Sequence, residues 1–202
     1  MTEKGLLIVL SGPSGCGKGT ILKELLKKRD DTVISISATT RSPREGEMHS
    51  VHYYFISKSE FEDRITNDGM LEYAEYVGNY YGTPAKEVYE NLENGKNVIL
   101  EIEVQGAMKV KQKYKDAVMI FVMPPSVSEL RRRLVDRATE DLEKIDGRMN
   151  TAMKEMKLAS QYDYIVINDS LETAVDELNS IITAQRLAKP RMTQIIENIL
   201  NS

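Results

Sequence analysis

The chain has 202 residues, 41% of them hydrophobic and 29% charged, a composition typical of one globular domain. Its formal net charge is −4, so broad attraction to nucleic acid is not expected, and an anionic ligand would need local clusters of arginine and lysine. The one cysteine excludes an internal disulfide framework, and the two histidines do not form a metal site by themselves.

Short apolar runs alternate with helical patterns along the chain. Each run is typical of a buried strand, and the runs lie at 6–10, 32–37, 97–103, 117–123 and 164–168. Their alternation with helices predicts an α/β fold, with a doubly wound parallel five-stranded sheet covered on both faces. Such sheets bind ligands at the carboxyl ends of their strands, so we expect the chemistry there.

The first predicted strand leads into "GPSGCGKGT", and a helical pattern starts at Thr20. Gly12, Gly17 and Lys18 match the G-x-x-x-x-G-K pattern of the phosphate-binding loop. Glycines let backbone N–H groups converge on a phosphate, and the following helix adds its positive end. A glycine-rich turn without a ligand is the alternative, which the flanking strand and helix disfavour. The predicted phosphate-binding residues are Gly12, Pro13, Ser14, Gly15, Cys16, Gly17, Lys18, Gly19 and Thr20.

One position of this loop departs from the pattern. The residue after the lysine is normally Ser or Thr, a magnesium ligand, but here it is Gly19 and the hydroxyl follows on Thr20. Magnesium could instead be held through water and phosphates near Glu101 or Glu103. Strand alternation predicts that these two acids share a face, although they could simply be solvated. Cys16 is interpreted as a tolerated small side chain.

Two segments are interpreted as insertions into the sheet. Residues 38–88 are polar and tyrosine-rich, and they carry Arg41 and Arg44 just beyond a predicted strand, where two guanidinium groups could grip a second phosphate. A solvated basic turn beside packed tyrosines is the alternative. Residues 126–158 form a highly charged helical segment with little apolar face. It is either a solvated helix pair or a mobile cationic flap.

The spacing of apolar residues near the C-terminus predicts a helix at 171–187 and, within 188–202, a second amphipathic helix after Pro190. This last helix could dock on the core or on another subunit, which would give a homodimer. No apolar run reaches the length of a membrane span, so we expect a cytoplasmic protein without a membrane partner.

Several motifs, in order along residues 5–187, resemble those of guanylate kinases. They are "GPSGCGKGT", "TTRSPREGE", "HYYF", "LEYAEYVGNYYGTP", "LEIEVQGA", "PPS" and "YDYIVIND". The resemblance implies one domain over residues 1–202 with a phosphate-loop core, a GMP-binding lobe, a lid and a helical tail. These parts would be 5–37, 89–125 and 159–187 for the core, 38–88 for the lobe, 126–158 for the lid and 188–202 for the tail.

The resemblance also implies an activity. Guanylate kinases transfer the γ-phosphoryl group of ATP to GMP with Mg²⁺, giving ADP and GDP, a step of purine nucleotide metabolism, and we expect dGMP to be accepted as well. By motif position, ATP would be bound by the loop, Arg137 and Asn168, with Asn168 near the adenine. GMP would be bound by Ser37, Arg41, Arg44, Tyr53, Glu72, Tyr81, Thr83, Glu101 and Glu103. Of these, Arg41, Arg44, Tyr53 and Tyr81 would hold its phosphate, and Ser37, Glu72 and Thr83 would contact guanine. The catalytic groups would be Lys18, Arg41, Arg137 and Arg148, with Arg133 as a further lid arginine and Glu103 near magnesium through water.

The implied base contact has a clear chemical reason. Guanine presents N1–H and N2–H₂ donors on one edge, which a carboxylate such as Glu72 accepts, whereas adenine would leave that carboxylate unpaired. The lid reads "DRAT" at 136–139 where the family commonly has "GRGT", which could stiffen a hinge.

Three other functions remain open at this point. They are a non-catalytic protein-binding module, a kinase for another nucleoside monophosphate, and a nucleotide-hydrolysing switch. Lys18 with its glycines argues against the first, Glu72 with Ser37 against the second, and the paired arginines against the third.

Overall fold

A computed structural model describes residues 4–137 and 142–201. The strands are β1 (Leu7–Ser11), β2 (Thr32–Ile34), β3 (Ala38–Thr39), β4 (Tyr54–Phe55), β5 (Met70–Tyr76), β6 (Asn79–Pro84), β7 (Asn97–Glu101), β8 (Val118–Met123) and β9 (Tyr164–Ile167). The helices are α1 (Lys18–Lys28), α2 (Lys58–Thr66), α3 (Ala85–Glu93), α4 (Val104–Lys113), α5 (Val127–Arg137), α6 (Leu142–Met156), α7 (Leu171–Arg186) and α8 (Lys189–Leu200).

The central sheet confirms the predicted doubly wound architecture. Its strand order is β2-β7-β1-β8-β9, and the paired strands all run parallel. In β1, Ile8 and Leu10 pack in one core with α1 and α7, while Leu7 and Val9 pack in a second core with α3 and α4. Both faces of β1 are buried, which explains its continuous apolar run.

Two predicted strands are shorter than expected, and one consequence is a correction. The second strand ends at Ile34, three residues before Ser37. The third ends at Glu101, and Glu103 is the residue that caps the N-terminus of α4, with φ −69° and ψ 159°. The prediction that Glu101 and Glu103 share one face of a strand is therefore wrong, because the chain leaves the sheet between them.

A second sheet lies in the segment between β2 and β7. Its order is β4-β3-β6-β5, with β3 and β4 parallel and the other pairs antiparallel. Phe61 of α2 is fully buried against Ala38 and Met70, and its ring stacks on Tyr80 with centroids 5.2 Å apart. This small core fixes the sheet whose strands β5 and β6 carry three of the nine predicted GMP residues, Glu72, Tyr81 and Thr83.

The helices α5 and α6 have a core of their own. Leu130 and Leu134 are fully buried one turn apart on α5 and pack against Ile145, Met149 and Ala152 of α6. The expectation of little apolar face in 126–158 is wrong, because a few apolar residues at helical spacing suffice for two helices facing each other.

The C-terminal helices differ in how they pack. In α7, Ala174, Val175, Leu178 and Ile182 are buried in the core beside α1. In α8, Ile195, Ile196 and Ile199 are exposed. Among the helices of the described residues, none combines the length and apolar character needed to cross a bilayer.

Candidate active site

The loop between β1 and α1 needs glycine at two positions for two reasons. Gly15 and Gly17 have φ of 88° and 94°, in the left-handed region that favours glycine. A Cβ at Gly15 would lie 2.9 Å from Leu134 Cδ2, and one at Gly17 would lie 2.3 Å from Asn168 Nδ2. The loop is therefore fixed both by its own dihedral angles and by close neighbours from α5 and the end of β9.

Lys18 folds back over this loop. Its Nζ donates to the carbonyl oxygens of Gly12 at 2.7 Å and Pro13 at 3.3 Å. The Cys16 side chain beneath is fully buried, and burial raises the pKa of its thiol, although the positive charge of Lys18 opposes that shift. A protonated, enclosed thiol is unreactive, which agrees with the structural role expected for Cys16.

Asn168 follows β9 and braces the loop. Its side chain is buried, and Nδ2 donates to the carbonyl oxygen of Cys16 at 2.7 Å. Its own backbone oxygen accepts from Arg133 Nη2 at 3.0 Å, and Arg133 Nε donates to Glu129 Oε1 at 2.8 Å. Asn168 was expected near adenine, and the structure places its amide on the loop backbone. Arg133 lies beside it and connects α5 to this end of the sheet.

The other lid arginine whose side chain is described also reaches the loop. Arg148 of α6 donates from Nη2 to Ser14 Oγ at 2.8 Å. The side chain of Arg137 lies outside the described part of the chain, as do Ala138 and Thr139 of the "DRAT" motif. The remaining residue of that motif, Asp136, pairs with Arg132 at 2.7 Å.

Glu101 and Glu103 are both exposed, Glu101 at the end of β7 and Glu103 at the start of α4. The negative charge of Glu103 contributes to raising the pKa of Glu72 and also that of Glu155 on α6, although burial is the largest cause in both cases. Lys18 acts in the opposite direction on Glu155. Glu103 therefore lies within electrostatic range of Glu72 and of Glu155, and Glu155 in turn lies within electrostatic range of Lys18.

Arg41 is held by a carboxylate at the edge of the second sheet. Its Nη1 and Nη2 donate to Glu47 Oε2 at 2.7 Å and Oε1 at 2.9 Å. The guanidinium carbon lies 5.3 Å from the Tyr53 ring centroid, and the Tyr53 and Tyr81 rings meet edge to face at 6.2 Å. Glu47 is the main cause, and Tyr81 a smaller one, of a raised Arg41 pKa. Three of the predicted GMP-phosphate residues are thus brought together.

The fourth of these residues, Arg44, belongs to the same turn. Its backbone N–H donates to Glu47 Oε2 at 2.8 Å, and its side chain is exposed. Ser37, predicted to contact guanine, is half-buried just before β3, where its backbone oxygen accepts from the N–H of Tyr54 at 2.8 Å.

Glu72 and Thr83 form a buried pair across β5 and β6. The Thr83 hydroxyl donates to Glu72 Oε1 at 2.7 Å, and burial raises the pKa of the Glu72 carboxyl against the opposing effects of Thr83 and Lys109. A Cβ at Gly106 of α4 would lie 2.8 Å from Glu72 Oε2, so glycine there makes room for the carboxylate. Thr83 and Tyr81 are two residues apart on β6 and share a face.

Comparison with known proteins identifies the architecture. The guanylate kinase family model matches residues 4–185. A guanylate kinase of Clostridium acetobutylicum is 51% identical over 202 residues, covering 100% of this chain and 95% of that protein. The chain belongs to the guanylate kinase family. A guanylate kinase of Halalkalibacterium halodurans is 52% identical over 95% of this chain and 94% of that one. The crystal structure of guanylate kinase from Anaplasma phagocytophilum matches with TM-score 0.74 and 34% identity, covering 94% of this chain and 90% of that chain.

Three residues that interact with the predicted site residues were missed by sequence reasoning. Glu47 holds Arg41, Lys109 lies within electrostatic range of Glu72, and Glu155 is half-buried within electrostatic range of Lys18 and Glu103. Glu47 had a local signal, an acid three residues after Arg44 with the turn-forming Gly46 between them. Lys109 and Glu155 had none, because only the fold brings them to the site.

Proposed function

We propose that this member of the guanylate kinase family transfers the γ-phosphoryl group of ATP to GMP, and also to dGMP, producing ADP and GDP. The observation that supports the proposal is that the chain carries two groups of hydrogen-bond donors and cations, of different construction, each suited to an anion. One is the glycine loop with Lys18, and the other is the arginine and tyrosine cluster beside the buried Glu72. A kinase needs two such sites, whereas a nucleotide hydrolase needs one.

The loop is the proposed ATP site. Backbone N–H groups at the start of α1, together with Lys18, would hold the outer phosphates. The ammonium group of Lys18 donates hydrogen bonds to the carbonyl oxygens of Gly12 and Pro13, so it already lies at the loop before a phosphate binds. Asn168 keeps the loop backbone in place, and Arg137 is proposed to contact ATP as well.

The cluster around Arg41 is the proposed acceptor-phosphate site. Guanidinium and phenol groups from Arg41, Arg44, Tyr53 and Tyr81 supply hydrogen-bond donors for one phosphate. The oxygen of that phosphate is itself the nucleophile, so alignment matters more than a strong general base.

The buried pair of Glu72 and Thr83 is the proposed guanine site, with Ser37 as a further contact. Glu72 Oε1 accepts from Thr83, which leaves Oε2 to accept from a guanine N–H. An adenine in this pocket would place its unprotonated N1 against a carboxylate in buried surroundings, an unpaired contact that costs several orders of magnitude in specificity.

The residues near the loop fit a magnesium ion that arrives with ATP. Among the described residues, no group of three or more acidic, histidine or cysteine side chains could hold a metal. Magnesium is commonly bound by one or two carboxylates together with substrate phosphates and water, which suits Glu103 acting through water and the exposed Thr20 hydroxyl. When bound, the ion offsets negative charge on the phosphate oxygens.

The segment 126–158 is the proposed lid. Its Arg148 already contacts Ser14, and Arg133 and Arg137 lie on the neighbouring helix α5. Closure of these arginines over the phosphates would offset the charge that develops during transfer and would exclude water that otherwise hydrolyses ATP.

The setting of the protein is part of the proposal. We place it in the cytoplasm, acting on free nucleotides without nucleic acid or membrane, and we propose that two copies associate through α8, whose isoleucines are exposed. Light scattering of the full chain and of a chain ending at Ala188 tests the association, since only the full chain should be dimeric.

An acceptor panel tests the proposed reaction. ADP release from ATP is measured with GMP, dGMP, AMP, CMP and UMP in turn. We expect GMP to give the highest kcat/KM, by about 100-fold or more over AMP, because the Glu72 pocket discriminates by polar pairing. Equal rates with AMP would indicate another nucleotide kinase, and equal ADP release without any acceptor would indicate a hydrolase.

A further inference from the structure

We propose that Glu47 is a positioning residue, which turns Arg41 so that one edge of its guanidinium faces the acceptor phosphate. The inference rests on the proposed function and deepens it, since it concerns how the acceptor site is kept ready before GMP binds. It is carried by the geometry of the Arg41–Glu47 pair and of the turn that contains both residues.

The hydrogen-bond geometry of Arg41 assigns its donors. A guanidinium has five N–H donors in one plane, in pairs that match a carboxylate or phosphate. Nη1 of Arg41 donates to Ser42 O at 2.8 Å and to Glu47 Oε2, and Nη2 donates to Glu47 Oε1. Glu47 therefore takes the end of the guanidinium. The side edge, formed by Nε–H and the other Nη2 hydrogen, is the pair that a phosphate can accept bidentately.

The residues around Arg41 restrict the rotation of its guanidinium group. The rings of Tyr53 and Phe55 lie 5.3 Å and 5.5 Å from the guanidinium carbon, within the range of a cation–π contact. The side chains of Arg41 and Glu47 are only 15% and 19% exposed. A pair this enclosed keeps its orientation better than an exposed ion pair does.

Glu47 also fixes the turn that carries the second arginine. Its Oε2 accepts from the backbone N–H of Arg44, and its own N–H donates to the Arg44 carbonyl oxygen at 3.0 Å. The Arg41 guanidinium and the Arg44 N–H hold the pKa of the Glu47 carboxyl at about 2. The carboxylate therefore stays ionised over the whole range of a kinase assay, and the pair does not switch with pH.

A competing role for Glu47 makes the opposite prediction. A carboxylate that merely occupied the phosphate-binding edge of Arg41 would have to leave before GMP could bind. Removing it would then tighten GMP binding. If the carboxylate instead orients Arg41 from the other edge, removing it would weaken GMP binding.

The test compares Glu47→Gln and Glu47→Asp with the wild type. Glu47→Gln keeps the shape but loses the charge and one acceptor, so we expect the KM for GMP to rise roughly tenfold, the loss typical of a charge-assisted hydrogen bond. Glu47→Asp keeps the charge on a shorter side chain and should rescue part of this loss. The KM for ATP should change by less than about twofold, because the glycine loop does not contact Glu47.

Two controls separate positioning from a general structural effect. Glu60→Gln removes an exposed partner of Arg64 on α2, in the same part of the chain, and should leave both KM values unchanged. Guanosine lacks the phosphate, so its inhibition constant against GMP should be the same in wild type and Glu47→Gln. Melting temperatures verify that each variant is folded.

The outcomes are distinct. An unchanged or lower KM for GMP in both Glu47 variants overturns the inference, and so does an equal weakening of guanosine. If Glu47→Gln fails to fold, the comparison of Glu47→Asp with wild type decides in the same way. A wild type without GMP-dependent activity would instead refute the proposed function itself.

Discussion

The glycine loop and the acceptor cluster are both proposed to bind a phosphate, but they are built from different parts of the chain. The loop is one contiguous stretch, 12–18, whose backbone N–H groups and single lysine are set by glycine dihedral angles and by Asn168. The acceptor cluster collects side chains from 37–83 and holds them with an ion pair and a buried hydrogen bond. A site built from the backbone is encoded locally, whereas a site built from side chains depends on the long-range contacts of the second sheet.

The largest expected effect comes from breaking the loop. Lys18→Ala removes the only charged side chain of the stretch 12–18. We expect kcat to fall about 100-fold or more, because a preorganised charge at the transferred phosphoryl group is lost. The melting temperature should hardly change. Steady-state kinetics measure the effect, and Lys23→Ala, an exposed lysine on α1, is the matched control. An unchanged kcat would contradict the role of the loop.

The next largest effect is expected from a change at the proposed guanine contact of the acceptor site. Glu72→Gln leaves an oxygen for Thr83 but presents an amide donor to guanine, so kcat/KM for GMP should fall about 100-fold while the KM for ATP stays within about twofold. Nucleotide titrations of both substrates measure this, and the exposed Glu75→Gln is the control. Equal losses for ATP and GMP would show that Glu72 is not specific to the acceptor site.

The difference in stability between Glu72→Gln and wild type should also depend on pH. Burial raises the Glu72 pKa above its ordinary value of 4.5, so the folded protein binds this proton more tightly than the unfolded chain does. The stabilising contribution is present below that ordinary value and is lost as pH rises through the raised one. We therefore expect the melting temperature of Glu72→Gln, relative to that of wild type, to increase as pH rises. A difference independent of pH would indicate that Glu72 is not the titrating group.

A smaller effect sharpens how the loop is braced. Asn168→Asp replaces the buried donor to the Cys16 carbonyl with an acceptor, which should cost about 2 kcal/mol of unfolding free energy. The KM for ATP should rise and the KM for GMP should not. Thermal melts and kinetics measure the two effects, with the exposed Asn150→Asp as control. Retention of both stability and ATP affinity would remove Asn168 from the site.

The smallest effect lies in the second sheet and away from both substrates. Val77 and Gly78 form the turn between β5 and β6 with φ of 48° and 74°, and Val77 is 81% exposed. A β-branched residue is strained at positive φ, whereas Asn-Gly suits such a two-residue turn. Val77→Asn should add about 1 kcal/mol of stability and leave the kinetics unchanged. A lower melting temperature would show that valine has a packing role there.

Features that depend on local sequence could be predicted, whereas features that depend on long-range contacts could not. The parallel sheet and the glycine loop were predictable, because each depends on local apolar runs and on one motif. The pairing of Glu72 with Thr83 depends on the register of β5 and β6, so their roles came from family resemblance. Glu103 was misplaced by strand alternation, since nothing local marks the point where the chain leaves β7. The buried core of α5 and α6 was missed because charged residues outnumber its few apolar ones.

The central claim is direct transfer between two sites, and the fate of the γ-phosphoryl group of ATP tests it most directly. The wild-type protein is incubated with ATP radiolabelled at that group, with and without GMP, and the labelled products are separated. We predict that the label appears in GDP when GMP is present and that little inorganic phosphate forms in either case. Label released as inorganic phosphate at the same rate with or without GMP would contradict the account.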